Sequence, residues 1–337
     1  MIRNIFFPQK INDYYLFKKK VVSFTLSKQT VSAFCLILNA RTKTITHDIH
    51  ETIAYDQYES PELALTATIK KILSTIGSYN ELIVVINSTH AIFKELTIPL
   101  IDEEKITQII GFELENYLPF SINNAVFDFI ITQQDIVAKN STVFTVAIQK
   151  EIIDNYAQLF TDAGTKVDVF SIDAFNIYDL FVTTQNNIEE KARLLVVSDN
   201  ELTTAVYLEG KQLKKIRILE ESPEYTNEAW WKTLNFTFES CTENWPKDKE
   251  LIFYGNYSSE FLSKAKLLFP INCIDISIDS IINTMKIEGL VSEKQNTISL
   301  SNLAAPSGSY RRIFSLACRN TWASLVASSL AILSVAS

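Results

Sequence analysis

Leu194-Leu195-Val196-Val197-Ser198 is followed by Asp199-Asn200-Glu201, then Thr203-Thr204-Ala205-Val206-Tyr207-Leu208, Glu209-Gly210, and Gln212 to Leu219. An apolar run, a polar turn, a second apolar run, a glycine turn and a third run read as strand–turn–strand–turn–strand. The chain opens in the same order. Val21 to Leu38 alternates polar and apolar residues (Val22, Phe24, Leu26, then Val31, Ala33, Cys35, Ile37) around Ser27-Lys28-Gln29-Thr30. A third strand is predicted near Thr44 to Ile53. Pro61 to Ser74 then carries Leu63, Leu65, Ile69, Ile72 and Leu73 at helical spacing, with Ser60 as N-cap and Pro61 at the first position. Leu82 to Asn87 is an apolar run suited to a strand buried on both faces. Two halves that begin alike indicate an internal duplication on an α/β plan.

Between the halves the texture changes. Lys94 to Pro99 reads as a strand closing at proline, and Asp102 caps a helix predicted from Glu103 to about Leu118. Ile106, Ile109, Ile110, Leu114 and Tyr117 form its apolar stripe, and Pro119 stops it. Strands are predicted at Ala125 to Thr132 and Val143 to Ala147. Glu113 and Glu115 diverge by about 200° on a helix, so they form a solvated pair and not a general acid–base couple. Glu151 to Ala163 is a helix with Gly164 as its C-cap. Val167 to Ile172 is a strand, Asp173 to Val182 a helix, and the polar stretch Thr183 to Lys191 a domain boundary. In the second half, helices near Tyr225 to Phe236 and Ser258 to Leu268 flank a strand at Glu250 to Tyr254. Trp230-Trp231 fits either a core or an exposed interface.

Composition excludes several functions. The formal net charge of −8 lacks the basic surface that phosphate neutralisation needs, so nucleic acid is not an expected partner. Cys35, Cys241, Cys273 and Cys318 form no C-x-x-C pair, which suits buried thiols in a reducing compartment. Among the three histidines only His47 and His50 are close, and on a strand they point to opposite faces, which argues against a metal site. No G-x-S-x-G or G-x-x-x-x-G-K is present, leaving hydrolase and P-loop chemistry unsupported. Ile5-Phe6-Phe7 is too short for a signal peptide before Pro8 and the charges from Lys10 to Lys20. The body is therefore expected inside the cell. Thr321 to Ser337 carries no charge, Arg311, Arg312 and Arg319 precede it, and Trp322 stands at its start. That is the layout of a helix entering a membrane from the cytoplasm. Its length of about 26 Å falls short of the roughly 30 Å hydrocarbon core, so the span is read as truncated.

The block Leu96 to Lys105, then Phe112-Glu113-Leu114-Glu115-Asn116-Tyr117-Leu118-Pro119-Phe120 and Phe127-Asp128, resembles the type IV pilus assembly protein PilM. In that family a strand ending in proline, here Pro99, leads to such a helix. Val146 to Glu151, Tyr156 and Ala163-Gly164 are similar to the segment that follows. Asn302-Leu303, Gly308-Ser309-Tyr310-Arg311-Arg312 and Trp322 resemble the juxtamembrane stretch of the type II secretion protein L (GspL), a PilM-like cytoplasmic domain continued through one membrane helix. The resemblance covers most of Val21 to Trp322. It implies a duplicated, ribonuclease H-like, actin-like fold with an α+β insertion, followed by a transmembrane helix. The expected divisions are an extension 1–20, domain I 21–185 with an insertion about 94–150, domain II 192–300, a juxtamembrane linker 301–320, and the membrane helix 321–337. It also implies a place in a bacterial inner-membrane platform, with the body in the cytoplasm. The partners implied are a secretion or pilus assembly ATPase, a PilN- or GspM-like inner-membrane protein, a platform membrane protein and a second copy of the chain.

Actin-like ATPases hold phosphates on two hairpins whose glycine-rich turns bring backbone N–H groups close to the anion, usually with an aspartate for the metal. Here Ser23, Phe24, Thr25 and Leu26 stand at the first D-x-G, and no glycine occurs from Met1 to Ile76. The second D-x-G falls on Ser198, Asp199 and Asn200, with the carboxylate shifted by one residue and so turned to the other face. The adenosine-side glycine pair is Tyr254-Gly255 followed by Asn256. Three departures predict a degenerate site, no cofactor and no catalysis. ATP with Mg²⁺ belongs to the alternatives, a PilM-like nucleotide-binding adaptor, in which Asn302-Leu303 docks back into the body, or an active actin-like ATPase.

Overall fold

The computed structural model describes residues 10–11, 14–15, 18–39, 43–185, 191–198, 202–219, 228–242, 249–255, 257–269, 271–284 and 287–289. After a short antiparallel pair, Lys10–Ile11 with Tyr14–Tyr15, come strands β1 (Lys19–Leu26), β2 (Thr30–Leu38) and β3 (Lys43–Thr52), helix α1 (Pro61–Ile76) and strand β4 (Glu81–Ile86). Next come β5 (Ala91–Ile98), α2 (Glu103–Glu115), β6 (Ala125–Asp135), β7 (Asn140–Gln149), α3 (Lys150–Asp162), β8 (Val169–Ile172) and α4 (Asp173–Thr184). The second half holds β9 (Ala192–Ser198), β10 (Thr203–Glu209), β11 (Gln212–Leu219), α5 (Glu228–Thr242), β12 (Lys249–Tyr254), α6 (Ser259–Leu268), β13 (Asn272–Ile276), α7 (Ile278–Thr284) and β14 (Ile287–Gly289).

The duplication read from the sequence is written in the sheets. One has the order β3-β2-β1-β4-β8, with β14 added beside β3, and the other has β11-β10-β9-β12-β13. In both, the first three strands pair antiparallel and the next two pair parallel to the first. Each half is thus a ribonuclease H-like sheet, and two in one chain make the actin-like α/β fold. The central strands are the most apolar because both of their faces are covered. Leu82, Ile83, Val84, Val85 and Ile86 of β4 are all buried. Val22, Phe24, Val31, Ala33 and Cys35 pack with Ile69, Ile72 and Phe160, and Phe24 meets the Phe160 ring edge-on at 5.2 Å. The second sheet buries its outer face against α5 and α6 through Trp230, Trp231, Leu234, Phe261 and Ala265. Trp230 and Trp231 are therefore core residues, which settles the two readings left open for that pair.

Two compact units emerge among the described residues: 90–153, and the residues before and after them. The 90–153 unit is a three-stranded antiparallel sheet, β5-β7-β6, with α2 packed on it through Ile106, Ile110 and Leu114. Asp102 caps α2, its carboxylate accepting from the N–H groups of Glu104 (3.0 Å) and Lys105 (3.2 Å). Two expectations of side-chain placement fail. The helix ends at Glu115, well before Pro119, and Tyr117 is exposed and not part of the buried stripe. Leu63, placed on the buried face of α1, is also exposed. The reason is local, because the face α1 buries runs through Ala64, Thr68, Ile69, Ile72 and Ile76, displacing the start of the stripe by one residue. The proposed membrane helix 321–337 lies outside the described residues, and among the described ones no helix is long and apolar enough to cross a membrane.

Candidate functional site

The β1–β2 turn, the first expected phosphate hairpin, is closed by its own side chains. Ser27 N–H donates to the Thr30 carbonyl at 2.9 Å, and Thr30 N–H donates to Ser27 Oγ at 3.2 Å. The two hydroxyls meet at 2.8 Å. The carbonyls of Lys28 and Gln29 take the Tyr55 hydroxyl and the Ile53 N–H, both at 2.8 Å. The N–H groups of Ser27 and Thr30 are thus engaged within the turn, and the carbonyls at its tip are taken by Tyr55 and Ile53. Ser23 is fully buried, set opposite Phe34 and Ile83, and Thr25 is half-buried opposite Ser32.

At the second hairpin, Ser198 ends β9 opposite Thr203. Its hydroxyl is 3.1 Å from Thr203 Oγ1, and the Tyr257 hydroxyl donates to it (3.3 Å) and to the Val196 carbonyl (2.9 Å). Trp230 Nε1 donates to Thr203 Oγ1 at 3.1 Å. Burial drives the Tyr257 phenol well above its ordinary pKa, so it remains a neutral donor. The position where a metal-binding carboxylate is expected is a neutral node tying β9, β10 and α5 together. Asp199 and Asn200 lie outside the described residues.

At the end of β12, Tyr254 is fully buried. Its hydroxyl lies 3.2 Å from Thr184 Oγ1, and its ring meets Phe181 of α4 edge-on at 5.9 Å. Desolvation raises the Tyr254 phenol as well. Gly255 has φ +142°, a conformation open to glycine, and its N–H donates to the Ile276 carbonyl at 2.9 Å. The turn has kept its glycine while a phenol ring fills the space beside it.

The structure adds a pair that the sequence reading missed. At the carboxyl ends of the parallel strands β4 and β8, Asp173 Oδ1 accepts from Ser88 N–H at 3.0 Å and Ala174 N–H at 2.6 Å, and from the Ser88 hydroxyl. This is the edge where open α/β sheets place ligands. An acid in the first turn of a helix directly after a strand was the available signal. No group of three or more histidine, cysteine, aspartate or glutamate side chains suited to a metal occurs among the described residues. His50 instead bridges Asp48 (Nε2 to Oδ1, 3.0 Å) and Ser32 (Nδ1 to Oγ, 2.8 Å).

The positions of the pilus-like motif lie in the 90–153 unit. Pro99 follows β5. Phe112 and Glu113 are exposed on α2, and Tyr117, Pro119 and the half-buried Phe120 lead away from it. Asp128 of β6 differs from these, being buried with Oδ2 lacking any hydrogen-bond partner while its other oxygen accepts from Phe129 N–H at 2.8 Å. Desolvation pushes its pKa up to about 7. Asn302, Leu303, Gly308, Tyr310, Arg311, Arg312, Arg319 and Trp322 lie outside the described residues.

The family model described as type IV pilus assembly protein PilM matches residues 41–221, more than half of the 337-residue chain. The chain belongs to the PilM family. Among solved structures, this PilM-family chain is similar to the "PilM-PilN type IV pilus biogenesis complex", with a TM-score of 0.63 at 14% identity over 85% of this chain and 96% of that one. At that identity the likeness establishes the fold. The cytoplasmic domain of EpsL, an inner membrane component of the type II secretion system of Vibrio cholerae, aligns with a TM-score of 0.48 at 10% identity, over 86% and 96% of the two chains. A Bacteroides thetaiotaomicron protein with an actin-like ATPase fold and unknown function gives 0.48 at 14%, over 77% and 91%. No curated protein sequence matches the chain.

Proposed function

We infer that this PilM-family chain is a scaffold of a pilus or type II secretion inner-membrane platform, with its actin-like body on the cytoplasmic side. The body binds the assembly ATPase and couples it to a PilN- or GspM-like membrane partner, a platform membrane protein and a second copy of itself, without turning over nucleotide. The observation that carries this reading is that, among the described residues, those at the three expected nucleotide positions bond or pack with the protein's own groups. In the first turn Ser27 and Thr30 bond each other, Ser198 is held by Thr203 and Tyr257, and Tyr254 packs against Phe181. Hairpin turns that lack glycine keep their backbone N–H groups from closing on an anion, so they offer a triphosphate little to bind. The segment 301–320 and the apolar run 321–337 serve in this reading as linker and anchor. Calorimetric titration of the full chain with ATP and Mg²⁺ tests the first half, with no saturable heat expected at micromolar to millimolar nucleotide. Saturation in the micromolar range would end the scaffold-only reading. Co-purification with the assembly ATPase of the same operon tests the second half.

A second reading, a nucleotide-binding PilM-like adaptor, is favoured by one observation. Gly255 keeps a backbone conformation that other residues rarely adopt, at the position expected to face adenosine. The same titration decides between the two.

A further inference from the structure

Of the large apolar side chains that stand open to solvent among the described residues, five belong to the 90–153 unit: Ile101, Phe112, Tyr117, Ile136 and Val137. Phe112 is 74% exposed in the middle of a motif that could have buried it. The helix geometry gives the reason. Ile106, Ile110 and Leu114 take the buried side of α2, so Ile101, Glu104, Gln108, Phe112 and Glu115 recur at three- and four-residue steps on the opposite side. Residues 101–117 hold five acids (Asp102, Glu103, Glu104, Glu113, Glu115) against Lys105 alone, a formal net charge of −4. All five acids are exposed. Just past the helix, Lys94 Nζ stands 4.3 Å above the Tyr117 ring, a cation on an aromatic ring within the same unit. The end of the helix is fixed, with Tyr117 N–H bonded to the Leu114 carbonyl at 2.9 Å and Leu118 N–H to that of Glu115 at 3.2 Å.

We propose that this acidic, aromatic face of α2 docks the chain's own cationic segment 308–322. That segment carries Arg311, Arg312 and Arg319 and no acid, interleaved with Ile313, Phe314, Leu316 and Trp322. Its +3 complements the net −4 of residues 101–117, of which the Glu104 and Glu115 carboxylates share the side of Phe112. Arginine is the suited cation, because its planar guanidinium stacks on an aromatic ring while bonding a carboxylate with two N–H groups. Phe112 and Glu115, one turn apart, present that ring and that carboxylate side by side. Each exposed pair contributes little, so the contact relies on the tether. A segment of the same chain acts at millimolar effective concentration, where several weak pairs suffice. Such docking would be sensitive to ionic strength. It is independent of nucleotide binding and of any ATPase partner.

The test uses the full chain in detergent with p-benzoyl-phenylalanine in place of Phe112, photolysed and analysed by mass spectrometry. A cross-link to 308–322 within one chain is expected, falling about fivefold or more in about 0.5 M salt. Arg311→Glu with Arg312→Glu should abolish it, and adding Glu104→Arg with Glu115→Arg should restore it. A cross-link between two chains would assign the face to a second copy and overturn the proposal. So would a cross-link to another segment, or none in a chain with native circular dichroism. Because co-purification of the assembly ATPase is read separately, failure here leaves the scaffold reading standing.

Discussion

Asp128 shows how one buried group can set a pH dependence. Its carboxylate has one oxygen without a partner, and desolvation holds its pKa near 7, against 3.8 for an ordinary aspartate. Between these values the folded chain keeps a proton that the unfolded chain has released, so ν_U − ν_N is negative and stability falls as pH rises. The contribution is intact below about pH 4 and lost once pH passes about 7. Asp128→Asn cannot ionise, so the variant should be more stable than the parent above pH 7, by roughly 2–4 kcal/mol, with the gap closing below pH 4. Urea unfolding of both proteins across pH 4–8 checks this, and parallel profiles would refute it. The sequence marked Asp128 as a motif position but gave no sign of burial. That depends on β6 pairing with β7 and on which face of the sheet is covered.

At the scale of the element, α2 shows how cap, stripe and contact combine. Its cap and its buried positions at Ile106, Ile110 and Leu114 were legible from residue types and spacing. Its end was not, because Asn116 and Tyr117 are no stronger breakers than their neighbours, and packing on the sheet continues past the helix through Leu118. Gly111 records a close approach, since a Cβ there would stand 3.1 Å from the tip of the Phe127 ring. Alanine would gain about 1 kcal/mol of helix propensity and lose a similar amount in pushing that ring aside. Gly111→Ala should therefore be neutral within about 0.5 kcal/mol, whereas Gly111→Leu should destabilise by about 2 kcal/mol or more. Thermal unfolding of the two variants separates these outcomes. The hairpins follow the same logic. That they lacked glycine was plain from the sequence, but the bonds that Tyr55 makes to the first turn and Tyr257 and Trp230 make at the second come from distant segments.

For the whole molecule, the two sheets of identical order predict a pattern of protection. The inner strands β1, β4, β9 and β12 are paired on both sides, while β11 and β13 are edges of their sheet. Native-state hydrogen exchange should find the slowest amides in the inner four, and β11 and β13 exchanging at least tenfold faster on their unpaired side. Equal protection of edge and centre would contradict this topology. By itself the sequence determined the strand order that recurs in both halves and the absence of glycine from the two hairpin turns, because periodicity, turn chemistry and missing residue types are local properties. Only the tertiary structure decided that Trp230 and Trp231 are core, that Phe112 and Tyr117 are surface, and that Tyr254 is buried against Phe181. Those facts depend on which groups distant segments bring against each side chain, and burial and hydrogen-bond satisfaction are properties of that packing.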